Sequence, residues 1–350
     1  MPGRDTSFVD RVWYGRGAFA SAARAVLTPF ERVFGAVVGA REIMYDAGWL
    51  PAREMPIPVV SVGNLSVGGT GKTPVAAWIA GELAARGARP AVVLRGYGAD
   101  EPLVHQVLNP GVPVIVNADR AAGILAAARG GADVAVLDDA FQHRLVRRAA
   151  DLVLVSADRW TSNLRLLPAG PWREPLRALR RATMVIVTRK AASAAVADDV
   201  HAVLAKANAR VPRVGLRLVP GGLVRVGSTE LRPLNEITGR SVHVITAIAD
   251  PGAFVMQLRD AGAQITATTF RDHHHFTDVE IARASRAVAA NGWAICTLKD
   301  AVKLQGRWPR QGPPLWYVSQ QVIVERGVGG LERLLDDLVR ARFRTSPTAG

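Results

Sequence analysis

From residue 57 onward the chain alternates short apolar runs with alanine-rich stretches. The runs are IPVVSV (57–62), PAVVL (90–94), VPVIV (112–116), DVAVLD (133–138), DLVLVS (151–156) and TMVIVT (183–188). Each is continuously apolar rather than alternating, which is the pattern of parallel strands covered on both faces. Helix candidates fall between several of them, at 74–86 and 119–129 among others. Strand and helix in alternation predict a doubly wound, mostly parallel α/β sheet.

The rhythm changes at VGLRLVPGGLVRVG (214–227), which reads as two strands turning at Pro220-Gly221-Gly222, a β-hairpin. Beyond it, VHVITAIAD, AQITATTF, WAICTL and PLWYVS alternate with helical stretches at 251–261, 278–290 and 328–343. The pattern therefore divides the chain into a helical N-terminal region (1–50), a larger α/β domain (51–213), a hairpin linker (214–236) and a smaller C-terminal α/β domain (237–345).

Residues 8–27 place Val9, Val12, Trp13, Ala20, Ala23 and Leu27 on one helical face, but Asp10, Arg11, Arg16 and Arg24 interrupt the run. Those charges exclude a membrane-spanning segment and a signal-peptide core. TPFE then predicts a second helix start, with Thr28 as cap, Pro29 in the first turn and Glu31 closing a capping box. Phe30, Val33, Phe34, Val37 and Val38 follow at helical spacing. Two readings fit: the helices pack on the protein's own core, or they lie on a membrane with arginines at the headgroups and Trp13 and the phenylalanines below.

Composition narrows the choices. At 350 residues, 49% apolar and 21% charged, the chain is a folded globular protein long enough for two domains. Its one cysteine, Cys296, excludes an internal disulfide and points to a reducing compartment; following WAI, it suits an inert strand residue better than a catalytic thiol. A net charge of +14 suits a polyanionic partner, whether nucleic acid, an anionic membrane surface or a phosphorylated substrate. The excess is spread as 39 Arg against five Lys, a chain-wide bias, and no aromatic-and-basic alternation or zinc-finger spacing favours nucleic acid.

With lysine so scarce, the one in SVGNLSVGGTGKTPVAAW (61–78) stands out. A strand candidate precedes this loop, and Pro74 opens the helix candidate after it, the context of a phosphate-binding loop. Ser66, Val67, Gly68, Gly69, Thr70, Gly71, Lys72 and Thr73 form the candidate nucleotide site. Its glycines let backbone N–H groups converge on phosphate oxygens, and the helix N-terminus adds a favourable partial charge. Lys72 would reach the β- and γ-phosphates, and the Thr73 hydroxyl would ligate Mg²⁺. One departure stands: Ser66 occupies the place of the first glycine in G-x-x-x-x-G-K-[ST]. The larger domain is accordingly expected to be P-loop NTPase-like.

Acidic residues recur beyond other strands. Asp138 and Asp139 end an apolar run and suit a metal site, although one could cap the next segment; Gln142 and His143 could orient them. RGYGADEP sets Asp100 and Glu101 after flexible glycines, in what is otherwise a plain turn. These three loops converge on one sheet edge. In FRDHHHFTD (270–278) three adjacent histidines suggest metal, but neighbouring side chains rarely point at one ion and no Cys or further His offers ligand spacing, so a catalytic or phosphate-contacting histidine, or a plain surface turn, is the better reading.

Seven segments in order, VGNLSVGGTGKTP, RGYGADEP, DDAFQH, LLPAGPWREP, AIADPGAF, DHHHF and TLKDAVKL, resemble the tetraacyldisaccharide 4′-kinase family, the lipid A 4′-kinases of Gram-negative bacteria. The resemblance runs from about residue 10 to 335. It implies transfer of the ATP γ-phosphate to the 4′-hydroxyl of an acylated glucosamine disaccharide 1-phosphate, at the cytoplasmic face of the inner membrane. It also implies a P-loop domain, a smaller α/β domain joined by a hairpin, and a membrane-associating N-terminal helical region. The expected partners are the lipid substrate and an anionic membrane surface, with no nucleic acid, and a monomer is the expected state. Carried over residue by residue, Lys72 and Thr73 serve ATP and Mg²⁺. Asp100 is the base, supported by His273 across a closing domain cleft. Glu101, Asp138 and Asp139 are candidates for the metal shell, and Arg173 is a candidate phosphate contact. Ala140 stands where many members have Gly, and Leu298 where an acidic residue is common. The rival is a MinD/ParA-like regulatory ATPase. That family places a second lysine where this chain has Val67, and its membrane helix at the C-terminus. A non-catalytic nucleotide-binding scaffold would bind without transfer.

Overall fold

The structure is a computed structural model and describes residues 8–96, 98, 100–249, 251–272 and 274–343. Two helices, α1 (Phe8–Tyr14) and α2 (Ala18–Asp46), open the chain. Then follow β1 (Val59–Asn64), α3 (Lys72–Ala85), β2 (Pro90–Leu94), α4 (Asp100–Leu108), β3 (Val114–Val116), α5 (Arg120–Arg129), β4 (Val134–Asp138), β5 (Ala150–Ser156), β6 (Met184–Arg189) and α6 (Ala194–Ala207). The remainder is β7 (Arg213–Arg225), β8 (Leu231–Arg232), β9 (Ser241–Thr246), α7 (Pro251–Asp260), β10 (Gln264–Thr269), α8 (Asp278–Arg286), β11 (Trp293–Thr297), α9 (Leu298–Leu304), β12 (Leu315–Arg326) and α10 (Val328–Ala341).

The chain forms two units: residues 1–95, 112–216 and 324–350, and residues 96–111 with 217–323. Residues 96–111, expected in the larger domain, group with the second unit, and residues 324–343, expected in the smaller domain, group with the first.

In the first unit the strand order is β6-β5-β1-β4-β2-β3, every pairing parallel. One apolar layer covers one face, built from Val59, Val93 and Leu137 with Ile124 of α5. Another, Val153, Val155, Val185 and Val187 with Val200 and Leu204 of α6, fills a second cluster. Residues on these strands are buried throughout β1, β2 and β4, which is why their sequences read as unbroken apolar runs. Each such Val, Leu or Ile contributes roughly 1.5–3 kcal/mol on leaving water. Because β1, β4 and β2 are parallel neighbours, the chain leaves all three at one edge.

The second unit has its own parallel core, β10-β9-β11-β12. Val242, Val244, Ile295 and Trp316 pack with Phe254 and Leu258 of α7, and a second cluster joins Ile245 and Ala294 to Phe276, Ile281 and Leu304. Cys296 is fully buried in that second cluster, and burial pushes its thiol well up, so it is inert as expected.

Two local expectations need correction. The chain does not reverse at Pro220-Gly221-Gly222; β7 runs straight through, and the reversal comes at Gly227, after which β8 returns antiparallel with Leu223 opposite Arg232. The two glycines serve close approach instead. Ser319 Oγ accepts from Gly222 N at 2.9 Å and donates to its carbonyl at 3.0 Å, and a Cβ on Gly221 would stand 2.6 Å from that oxygen.

Nor does a helix start at Thr28: α2 runs through Pro29. The Thr28 hydroxyl donates to Arg24 O at 2.8 Å, bonding the backbone inside the helix instead of capping it. Glu31 is used elsewhere, accepting from Arg165 Nε and Leu166 N, both at 2.8 Å. Further along, Glu42 is 6% exposed between Arg177 at 3.3 Å and Arg180 at 3.1 Å, and Asp46 pairs with Arg144 at 2.8 Å and with Arg180. The helix therefore turns Glu31 and Glu42 inward, while Phe19, Val26, Phe30, Val33 and Val37 are exposed. No helix among the described residues is long and apolar enough to cross a membrane.

Candidate active site

The glycine-rich loop connects β1 to α3, as its flanks predicted. Gly68 (φ 112°) and Gly71 (φ 86°) hold left-handed backbone that side chains disfavour, and Gly71 is the N-cap of α3. Ser66, by contrast, forms an antiparallel bridge with Trp172, and Val67 N donates to Pro171 O at 2.8 Å. The first half of the loop is thus a short extended pairing with GPWREP, and a glycine there is not required. Asn64 Nδ2 donates to Thr70 Oγ1 at 2.9 Å, and the Thr188 hydroxyl at the end of β6 donates to Thr70 O at 2.8 Å. These bonds hold the loop from two strand ends, those of β1 and β6.

Lys72 and Thr73 open α3, and Thr73 is 6% exposed. Asp138 closes β4 opposite Val62 of β1, so it sits beside the strand that launches the loop. Asp139 follows in left-handed backbone (φ 51°), a conformation that aspartate tolerates better than most residues. It accepts from Arg173 Nη1 at 3.1 and 3.3 Å and lies 3.8 Å from Lys72 Nζ. Lys72, Asp139 and Arg173, drawn from three separate motifs, are therefore brought together. Behind them Glu174 is buried against Arg181 at 2.8 Å; burial raises its carboxyl pKa against the pull of that guanidinium. Gln142 donates to Asn64 O at 2.9 Å, so it braces β1. His143 is held neutral: burial, then the charges of Arg120, Arg148 and Arg41, lower its pKa to about 4.

In the second unit Asp100 and Glu101 form the first turn of α4, with Asp100 4% exposed. Lys303 of α9 lies 3.5 Å from Asp100 and 3.9 Å from Asp300. Asp300 accepts from the hydroxyls of Thr246 (2.9 Å) and Thr297 (2.7 Å) and from Ala247 N (3.0 Å); burial raises its pKa against these bonds. His273 lies outside the described residues. Its neighbour His274 stacks on Phe270 at 4.6 Å and contacts Glu280 at 3.0 Å, the acid of a capping box with Thr277. That histidine supports the start of α8.

No group of three or more His, Cys, Asp or Glu among the described residues could hold a metal by itself. The donor set beside the loop is of a different kind: a threonine hydroxyl and the carboxylate that ends β4, hard oxygens of the sort Mg²⁺ takes alongside phosphate and water.

The family model for tetraacyldisaccharide-1-P 4′-kinase, LpxK, matches residues 23–340. The chain belongs to this kinase family. The tetraacyldisaccharide 4′-kinase of Anaeromyxobacter sp. (strain Fw109-5) is 39% identical over 332 residues, covering 85% of this chain and 88% of that one. The namesake from Geobacter metallireducens is 38% identical over 307 residues, covering 80% and 88%. Among solved structures, LpxK from Aquifex aeolicus, crystallised in complex with ATP, superposes with a TM-score of 0.73 at 26% identity, covering 91% of this chain and 99% of that chain. Membership in the tetraacyldisaccharide 4′-kinase family displaces the MinD/ParA alternative.

The geometry explains one departure of this kinase-family chain from the common pattern. Ala140, where a glycine is common, does not need one, because the left-handed residue is Asp139. The pairing of GPWREP with the loop and the Lys303–Asp300 node escaped the sequence reading. TLKDAVKL is one of the segments that carry the family resemblance, but no spacing rule connects it to Asp100, about two hundred residues away.

Proposed function

We propose that this chain transfers the γ-phosphate of ATP to the 4′-hydroxyl of a tetraacyl glucosamine disaccharide 1-phosphate. The observation that carries it is the loop itself: Gly68, Gly71, Lys72 and Thr73 between β1 and α3, beside Asp138 and Asp139, in a chain of the tetraacyldisaccharide 4′-kinase family. In this reading the backbone N–H groups of residues 66–73 and Lys72 hold the phosphates, and Arg173 meets the charge on the transferred group. Such transfer needs positioning and charge neutralisation more than covalent help.

The sugar oxygen attacks the γ-phosphorus, its proton passes to Asp100, and ADP leaves. A placed base of this kind contributes typically ~10²–10⁴-fold. His273 would support Asp100. Thr73, with Asp138 and Asp139, and Glu101 as a further candidate, would hold Mg²⁺, which supplies charge neutralisation on the phosphates. The exposed apolar stripe of α2, with Glu42 buried on the opposite side, supports seating on an anionic membrane surface, and the family resemblance implies the cytoplasmic face of the inner membrane.

The test is direct. Purified protein, γ-labelled ATP and the disaccharide 1-phosphate lipid are incubated together, and label is expected in the lipid. ATP bound or hydrolysed with no labelled lipid would overturn the assignment in favour of a switch ATPase or a scaffold.

A further inference from the structure

Asp100 begins a helix only nine residues long, reached from β2 through a segment that includes Gly96 in left-handed backbone (φ 79°). A carboxylate at the mouth of such a segment needs an external restraint if it is to keep one orientation. One such restraint comes from α9, which packs against α4. The side chain of Lys303 is 12% exposed, and its ammonium stands between two carboxylates, Asp100 Oδ2 at 3.5 Å and Asp300 Oδ1 at 3.9 Å.

The second carboxylate cannot move. Asp300 is fully buried, and three donors fix it: two threonine hydroxyls and the Ala247 amide. The Phe276 ring, 5.8 Å from the ammonium, walls the other approach. A cation this deep is costly unless paired, and Asp300 supplies a charge that keeps it in place whatever Asp100 is doing. The order of rigidity is therefore Asp300, then Lys303, then Asp100.

We propose that Lys303 is a positioning residue for Asp100: anchored by Asp300, it holds the Asp100 carboxylate in the orientation that receives the proton of the acceptor hydroxyl. This rests on the assignment of Asp100 as the base. Misorientation of a reacting group costs turnover more than substrate affinity, which separates this role from a purely structural ion pair.

The experiment compares full-length enzyme with Lys303→Met, Lys303→Arg, Asp100→Asn and the double variant Asp100→Asn/Lys303→Met. Steady-state kinetics use ATP and the tetraacyl disaccharide 1-phosphate in detergent micelles, with melting temperature recorded for each. Lys303→Met is expected to lower kcat on the order of 10–100-fold, the usual cost of losing an outer partner, with the KM for ATP within about twofold. Lys303→Arg, which restores the charge, is expected to recover at least part of that loss. In the Asp100→Asn background, Lys303→Met is expected to cost little more, because the residue it positions is already disabled.

If Asp100→Asn abolishes turnover while Lys303→Met leaves kcat unchanged, the base assignment stands and the positioning role is overturned. Fully additive losses in the double variant, or equal losses in Lys303→Met and Lys303→Arg, also overturn it. Normal turnover by Asp100→Asn overturns the base assignment itself, and the inference with it. Should Lys303→Met fold poorly, Lys303→Gln carries the same prediction. A lower melting temperature with unchanged kcat per folded molecule then assigns the pair to stability alone.

Discussion

Asp139 stands 3.8 Å from Lys72 and accepts from Arg173 at 3.1 Å, so one carboxylate holds two of the cations proposed to meet the phosphates of ATP. A polyphosphate brings more negative charge than Asp139 does, and it would draw both cations to itself. Removing the carboxylate therefore should not weaken nucleotide binding; it removes a charge that repels phosphate. Its proposed share in the metal shell, however, would be lost. Asp139→Asn is expected to bind ATP at least as tightly as the parent by calorimetric titration, with kcat lowered about 100-fold, in the range for loss of a transition-state charge partner. Weaker binding with intact kcat would show that Asp139 serves the nucleotide rather than the transfer step.

The frame of the site depends on a close approach between strands and loop. A Cβ on Gly63, in β1, would stand 2.6 Å from both the Cβ and the backbone N of Phe141. Phe141 is fully buried, so it has no room to retreat. Gly63→Ala is expected to destabilise the protein by about 1–3 kcal/mol, the usual cost of overpacking. The displaced segment carries Gln142, whose amide bonds Asn64 O, so kcat should fall with the melting temperature. An unchanged melting temperature would mean that the loop after β4 is freer than its packing indicates.

Much of this was legible in the sequence, for reasons that differ by residue. Five strands of the first unit, β1, β2, β4, β5 and β6, were visible because burial on both faces demands unbroken apolar runs, and the loop because Gly71, Lys72 and Thr73 are local in the chain. What escaped depends on partners distant in sequence. Pro220-Gly221-Gly222 has turn composition, but its glycines admit Ser319, ninety-seven residues away from Gly222. Thr28 and Pro29 have the composition of a helix start, but Glu31 bonds Arg165 and Leu166 instead of closing a cap. Residues 96–111 follow a strand of the first unit yet group with the second, because α4 packs on α9. The sequence pattern shows which side chains are apolar; it does not show which way a helix turns them, as α2 demonstrates.

His143 provides a pH test of the packing around the acidic loop. Burial first, then Arg120, Arg148 and Arg41, lower its pKa to about 4 from the ordinary 6.5. With the folded value below the unfolded one, the unfolded chain takes up the proton first. The contribution of the neutral imidazole is thus complete above about pH 6.5 and is lost as pH falls toward 4. His143→Gln cannot take up that proton. Its melting temperature is expected to fall less than the parent's between about pH 7 and pH 5. Parallel falls in the two proteins would mean that other groups account for the acid sensitivity in that window.

The two stripes of α2 make opposite predictions, and this separates docking on the protein from seating on a membrane. Phe30, Val33 and Val37 are each more than 60% exposed, so replacing them costs the fold little. The triple variant Phe30→Glu/Val33→Glu/Val37→Glu is expected to keep the parent melting temperature and its activity on micellar substrate. Its binding to anionic phospholipid vesicles should fall at least about 100-fold, since each side chain contributes ~1.5–3 kcal/mol when fully removed from water. Glu42 is the reverse case, buried among Arg177, Arg180 and Arg181. Glu42→Gln leaves those guanidinium groups without their shared counter-charge. It is expected to cost about 1–3 kcal/mol of stability, less than a fully buried pair because Arg177 and Arg180 remain half exposed, and to leave vesicle binding by the folded protein intact. Loss of stability in the triple variant would mean that the apolar stripe packs on the protein. Unchanged vesicle recovery would mean that other surfaces anchor the enzyme. Only the combination of intact fold and lost binding supports a helix whose charged face is its attachment to the protein and whose apolar face is its attachment to lipid.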